Sequence, residues 1–166
     1  MSILSLKQTM DQLIQVHLTL VELAEQKTGV LVLNKVDRLN QIVNKETSLM
    51  KRIMELDLQR IEDISGFLIE KGYKPNPKIT VGDLVKLVVK MEEKKLLTDN
   101  QHQLLNTIDK LREINSLNQK LIEQSLAFIE YSMDIVLGPS EEDVVYRNPS
   151  HQQRGIKRAG MFDSRA

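Results

Sequence analysis

The chain has 166 residues, with 23 Lys and Arg against 23 Asp and Glu, and only 4% of it is aromatic. The even charge argues against a protein held on nucleic acid by phosphate neutralisation, which needs a basic surplus on one surface. With no cysteine there is no disulfide framework, thiolate zinc site or cysteine nucleophile, and the composition fits one soluble domain.

The apolar runs Val30 to Leu33 and Leu87 to Val89 fall far short of the roughly 18 residues that span a bilayer. The start, MSILSLKQTMDQ, lacks the apolar region of a secretory signal. The expectation is a cytoplasmic protein with no stable membrane insertion. Few rings and many Leu, Ile, Val, Lys, Glu and Gln suit long helices packed along aliphatic seams.

From Ile3 the apolar positions recur in steps of three and four: Ile3, Leu6, Met10, Leu13, then Val16 or His17, Leu20, Leu23 and Leu31. That spacing predicts a helix with one buried stripe. Gly29 weakens it, and the helix is expected to continue to about Leu33. Asn34 with Asp37 reads as an N-cap and an acidic third position opening a second helix. Its apolar positions are Val36, Leu39, Ile42 or Val43, Leu49 or Met50, Ile53, Leu56, Ile61, Ile64 and Leu68, ending at Lys71-Gly72. Pro75 and Pro77 then force an extended linker.

Thr80 and Asp83 form a capping box for a short helix, with Leu84, Leu87, Val88 and Met91 toward a neighbour. Thr98 with Gln101 repeats that signal and predicts the start of a last long helix, which stops at Gly138-Pro139. The fold class is therefore all-α: an elongated antiparallel bundle or coiled coil of three long helices plus one short, over residues 1–138. Residues 139–166 carry an acidic knot, Glu141, Glu142 and Asp143, followed by five basic residues against Asp163. With few apolar groups this segment reads as a flexible polar tail.

Catalytic signatures are missing. Glu62 and Asp63, or Glu92 and Glu93, are adjacent on a helix and diverge by about 100°, so they read as solvated surface. Asp99-x-x-His102 occurs once, where a bundle di-metal site needs two Glu-x-x-His pairs. No metal or other cofactor is expected, and no enzyme. His17 reads as a packed imidazole bonding across a seam, and Asn115 and Asn118 either fix the register of a seam or lie on the surface.

In the last helix the apolar residues fill two rows: Ile114, Leu117, Leu121, Phe128, Tyr131 and Ile135 on one, Ile122, Ile129 and Val136 on the other. That is wider than a two-helix seam requires. Either the surplus belongs to a broader core, completed by the short helix or a second copy, or it is an exposed groove for a partner's amphipathic helix.

LVLNKVDRLNQIVNKETSLMKRI, IDKLREINSLNQKLIEQSLAFIEYSMDIVLG and the tail VVYRNPSHQQRG carry a resemblance to the FlgN family of flagellar type III export chaperones. The likeness runs from Leu13 to about Tyr146, and its most specific phrase is N-x-x-N-x-x-L-I-E-x-x-L-x-F-I-E at Asn115 to Glu130. The resemblance implies a cytoplasmic chaperone that binds the terminal helices of the hook-filament junction proteins and delivers them to the export gate. It puts the partner surface on Ile114, Leu117, Leu121, Ile122, Phe128 and Ile129, and docking to the gate's cytoplasmic domain on Tyr146. Pro149 and the basic GIKRAG stretch after Tyr146 depart from that pattern, and leave the basic end as the other candidate for the gate contact. The rival reading from the same apolar spacing is a structural coiled-coil adaptor that homo-oligomerises through this face.

Overall fold

The computed structural model describes residues 3–138, and among these the chain forms four α-helices and no strand. They are α1 (Ile3–Val32), α2 (Val36–Glu70), α3 (Val81–Leu87) and α4 (Met91–Leu137), the three long helices and one short that the periodicity predicts. Two compact units are distinguished, Met1–Gln124 and Ser125–Ala166.

In the first unit α1 is the central helix, and its sequence explains why. Beside the predicted stripe, Ile14, Val21 and Ala24 are also buried, so α1 carries apolar groups on two sides. It faces α2 on one of them. Gln12 meets Arg52 and Lys27 meets Glu46, so residue numbers fall along α2 as they rise along α1 and the pair is antiparallel. On the other side Asp11 accepts from Asn100, Glu25 pairs with Lys110, and Ala24 accepts from Asn118, so α4 runs parallel to α1.

The apolar core gathers where α1 begins. Ile3, Leu6 and Met10 of α1 meet Ile64, Phe67 and Leu68 of α2, with Val81, Leu84, Val88 and Leu97 closing the cluster. α3 is therefore a plug, held by its cap. The Thr80 hydroxyl accepts from Asp83 N–H at 3.1 Å while Asp83 accepts from Thr80 N–H at 3.2 Å, the predicted capping box. Hydrogen bonds from the Thr80 hydroxyl and N–H, and then from Lys86, hold the Asp83 carboxyl below its usual range.

Three expectations are corrected. Asn34 does not cap α2: it takes φ +52° and closes α1, with its N–H on Leu31 O and the next N–H, of Lys35, on Val30 O. This is the left-handed helix stop usually given to glycine, with Asn tolerated because its short side chain suits that region. The N-cap of α2 is Lys35, with no side-chain cap bond. At the end of α2 glycine itself does the same work, Gly72 at φ +79° with the bonds Gly72 N–H to Ile69 O and Tyr73 N–H to Leu68 O.

The second correction concerns α4, which starts at Met91 rather than near Thr98. Glu92 and Glu93 in its first turn complement the positive helix end, while the Thr98 hydroxyl donates back to Lys94 O inside the helix. Of the four residues expected to face a neighbour around α3, Leu84 and Val88 are buried, whereas Leu87 and Met91 are exposed. The third is Asp63, which is not solvated surface but 2% exposed.

Asn34→Val is expected to lower the unfolding free energy by about 1–2 kcal/mol, because a β-branched side chain resists the left-handed region. Asn34→Gly should match or slightly exceed the wild type. Urea unfolding of the two variants checks the pair.

Candidate functional site

Among the described residues no cluster of three or more His, Asp or Glu could hold a metal ion, and no helix is long and apolar enough to cross a membrane. His17 is half-buried, but its Nδ1 lies 2.7 Å from Leu13 O of its own helix rather than across a seam. Asp99 and His102 sit inside α4, not at a helix start.

The two asparagines take different roles. Asn118 is buried, donates to Ala24 O at 2.9 Å and accepts from the Thr28 hydroxyl at 2.6 Å. An amide satisfied this way fixes the register of α4 against α1, since a slipped pairing would leave its donor and acceptor unpartnered. Asn115 is exposed and lines a groove of about 450 Å³ with Leu20, Met50, Leu111, Gln119 and Ile122. The Lys27–Glu46 ion pair at 2.7 Å, whose side chains are largely covered, also borders this groove.

The buried positions of α4 are Leu97, Asn100, Thr107 and Asn118, only the first of them apolar. Within the first unit α4 is held to α1 by the bonds of Asn100, Lys110 and Asn118 as well as by Leu97 and Leu104 at the apolar core. Its larger side chains stay half out: Ile114 and Leu121 are half-buried, and Leu117 and Ile122 are exposed. Ile122 lines the groove.

In the second unit, residues 125–137 of α4 bury no side chain. Phe128 is 69% exposed and Ile129 47%, and Leu126, Tyr131, Met133, Ile135, Val136 and Leu137 are exposed with them. Water contact with that much apolar surface is unfavourable by about 25 cal/mol per Å², which makes the patch the candidate binding surface. Of the residues expected to bind a partner, Ile114, Leu117, Leu121 and Ile122 belong to the first unit, and Phe128 and Ile129 to the second. Tyr146 and the tail 139–166 lie outside the described residues.

Sequence reasoning placed Asp63 on the solvated surface and missed its buried polar site. Its carboxylate accepts from Ser5 Oγ at 2.8 Å, Thr9 Oγ1 at 2.6 Å and Gln59 Nε2 at 3.3 Å. A signal was present in the spacing, since Ser5 and Thr9 are one turn apart on the apolar side of α1, where two hydroxyls need an acceptor.

The last helix of this bundle thus passes from a part held by both polar bonds and apolar packing to an end whose apolar side chains are exposed. The FlgN protein family matches residues 1–154 of the chain, and the chain belongs to that family, one of chaperones in flagellum biogenesis. It is also similar, at 28% identity over 167 residues spanning the full length of both, to "Uncharacterized protein YvyG" of Bacillus subtilis (strain 168). No solved structure matches it.

Proposed function

We propose that the protein is a cytoplasmic export chaperone that binds the amphipathic terminal helices of the hook-filament junction proteins and keeps them from assembling before export. The observation that carries this reading is the uncovered apolar surface at the end of α4, where Phe128 is 69% exposed, in a member of the FlgN family. Client helices of this kind are unpartnered before assembly, and an amphipathic helix finds its complement in an apolar helical face. Ile114, Leu117, Leu121, Ile122, Phe128 and Ile129 are the proposed contacts. The ordering entropy of the client offsets part of the contact energy, which keeps the complex releasable at the gate.

In this reading residues 1–138 form the chaperone domain and residues 139–166 a tail that delivers the complex, with Tyr146 docking on the cytoplasmic domain of the export gate. A tyrosine suits that role because it offers a large contact area while few rotatable bonds are frozen.

The direct test is binding of purified junction protein to the full chain by titration calorimetry. A one-to-one complex is expected, and no binding to any junction protein would remove the function. Tyr146→Ala should leave that affinity unchanged while reducing junction-protein secretion severalfold in living cells. Unchanged secretion would remove the docking assignment.

A further inference from the structure

The last turns of α4 hold more than one apolar face. At about 100° per residue, Phe128, Tyr131 and Ile135 fall together on one side of the helix, and Ile129, Met133 and Val136 fall on another, roughly 130° away. All six are exposed. Two polar features separate these faces. Glu130 and Asp134, one turn apart, form an acidic strip along one boundary. Ser132 marks the other, but its hydroxyl donates to Phe128 O of its own helix at 2.8 Å and so is ready to be covered without losing a bond.

Together with Leu126 and Leu137, apolar groups therefore occupy an arc of roughly 240°, interrupted by Ser125 and Ser132, whereas one neighbouring helix covers a stripe of about 100°. A helix that is apolar over most of its circumference is a buried helix. A single client helix would leave one of the two faces in water.

Charge restricts the occupant further. From Leu121 to Tyr146 the chain has six acids, Glu123, Glu130, Asp134, Glu141, Glu142 and Asp143, and no lysine or arginine. The last turn of α4 has no basic residue to complement the negative helix end. Whatever encloses this segment meets an acidic strip that this stretch of the chain does not neutralise.

Resting on the chaperone reading above, we infer that the client engages residues 125–137 with two amphipathic helices at once, one against Phe128, Tyr131 and Ile135 and one against Ile129, Met133 and Val136. The edges of both helices bring lysine or arginine to Glu130 and Asp134. The end of α4 becomes the centre of a small intermolecular bundle rather than one wall of a groove. The client is masked by two of its own helices, and the basic edge sets the orientation in which they dock.

The test uses the full chain and purified hook-filament junction protein. One variant carries Tyr131→Gln with Ile135→Gln, a second Ile129→Gln with Val136→Gln, and a third Glu130→Lys with Asp134→Lys. The first two should each lose affinity by about tenfold or more with unchanged circular dichroism, since every replaced side chain is exposed in the free protein. The third should bind at least fivefold more weakly at low salt and lose most of the salt dependence of the wild type.

Loss from only one face overturns the two-helix arrangement and leaves the chaperone reading standing. Salt dependence unchanged in the third variant overturns the basic edge. If the wild type binds and neither face matters, the client lies elsewhere and the inference fails. If the wild type binds no junction protein, the chaperone reading falls and takes the inference with it. A dimer of the full chain in sedimentation, abolished by both face variants, would assign this surface to a second copy instead.

Discussion

Asp63→Ala is expected to lower the unfolding free energy by about 2–4 kcal/mol, measured by urea unfolding. The carboxylate is 2% exposed and no cation pairs with it among the described residues; its partners are the Ser5 and Thr9 hydroxyls and the Gln59 amide. Truncation removes the acceptor for all three and opens a cavity between Ser5, Thr9 and Gln59. Asp63→Asn keeps the shape but turns one acceptor into a donor facing a hydroxyl, so it should fall between Ala and the wild type. The decisive variant is the triple Ser5→Ala, Thr9→Val, Asp63→Leu. Removing the carboxylate together with both hydroxyls should recover most of the loss, because apolar groups of similar size fill the site and the amide of Gln59, an exposed residue, turns to water. An Asp63→Ala protein within about 0.5 kcal/mol of the wild type would mean that the hydroxyls satisfy themselves on their own helix.

The helices of this chain were legible because their signals are local. The signals of the stripe, the glycine stop at Gly72 and the Thr80–Asp83 box each lie within a turn or two of the feature they specify, and the structure has the stop, the box and the stripe as far as Leu23, with Leu31 only half-buried. Misreadings arose where one residue type serves two local purposes. Asn34 suits an N-cap and a left-handed stop equally well, and only the backbone bonds of Lys35 and Asn34 decide between them. Thr98 looks like a cap from sequence, yet a threonine inside a helix returns its hydroxyl to the carbonyl four residues back. Asp63 was hidden for a different reason, since its partners Ser5 and Thr9 are 58 and 54 residues distant. The surplus of apolar residues in α4 was legible, but not its division: buried, half-buried and exposed residues together in the first unit, and exposed ones alone from Ser125 onward.

Phe128→Asp should abolish junction-protein binding, by at least about 100-fold, while changing the unfolding free energy of the free protein by no more than about 0.5 kcal/mol. Both halves follow from the same exposure of 69%. In the free chain the ring touches little, so its loss removes few contacts. In the complex the ring is proposed to lie under a client helix, where losing it forfeits about 2–3 kcal/mol of burial and the new carboxylate must be stripped of water without a partner. Leu97→Asp on the same helix supplies the opposite case. Leu97 is fully buried in the core cluster with Leu84 and Leu68, so a charge there should unfold the bundle and abolish binding as a consequence of unfolding. Calorimetric titration and thermal unfolding of the two variants separate a surface kept for a client from a core kept for the fold. A Phe128→Asp protein that melts as low as the Leu97 variant would place the phenylalanine in the core and leave the chaperone without its binding face.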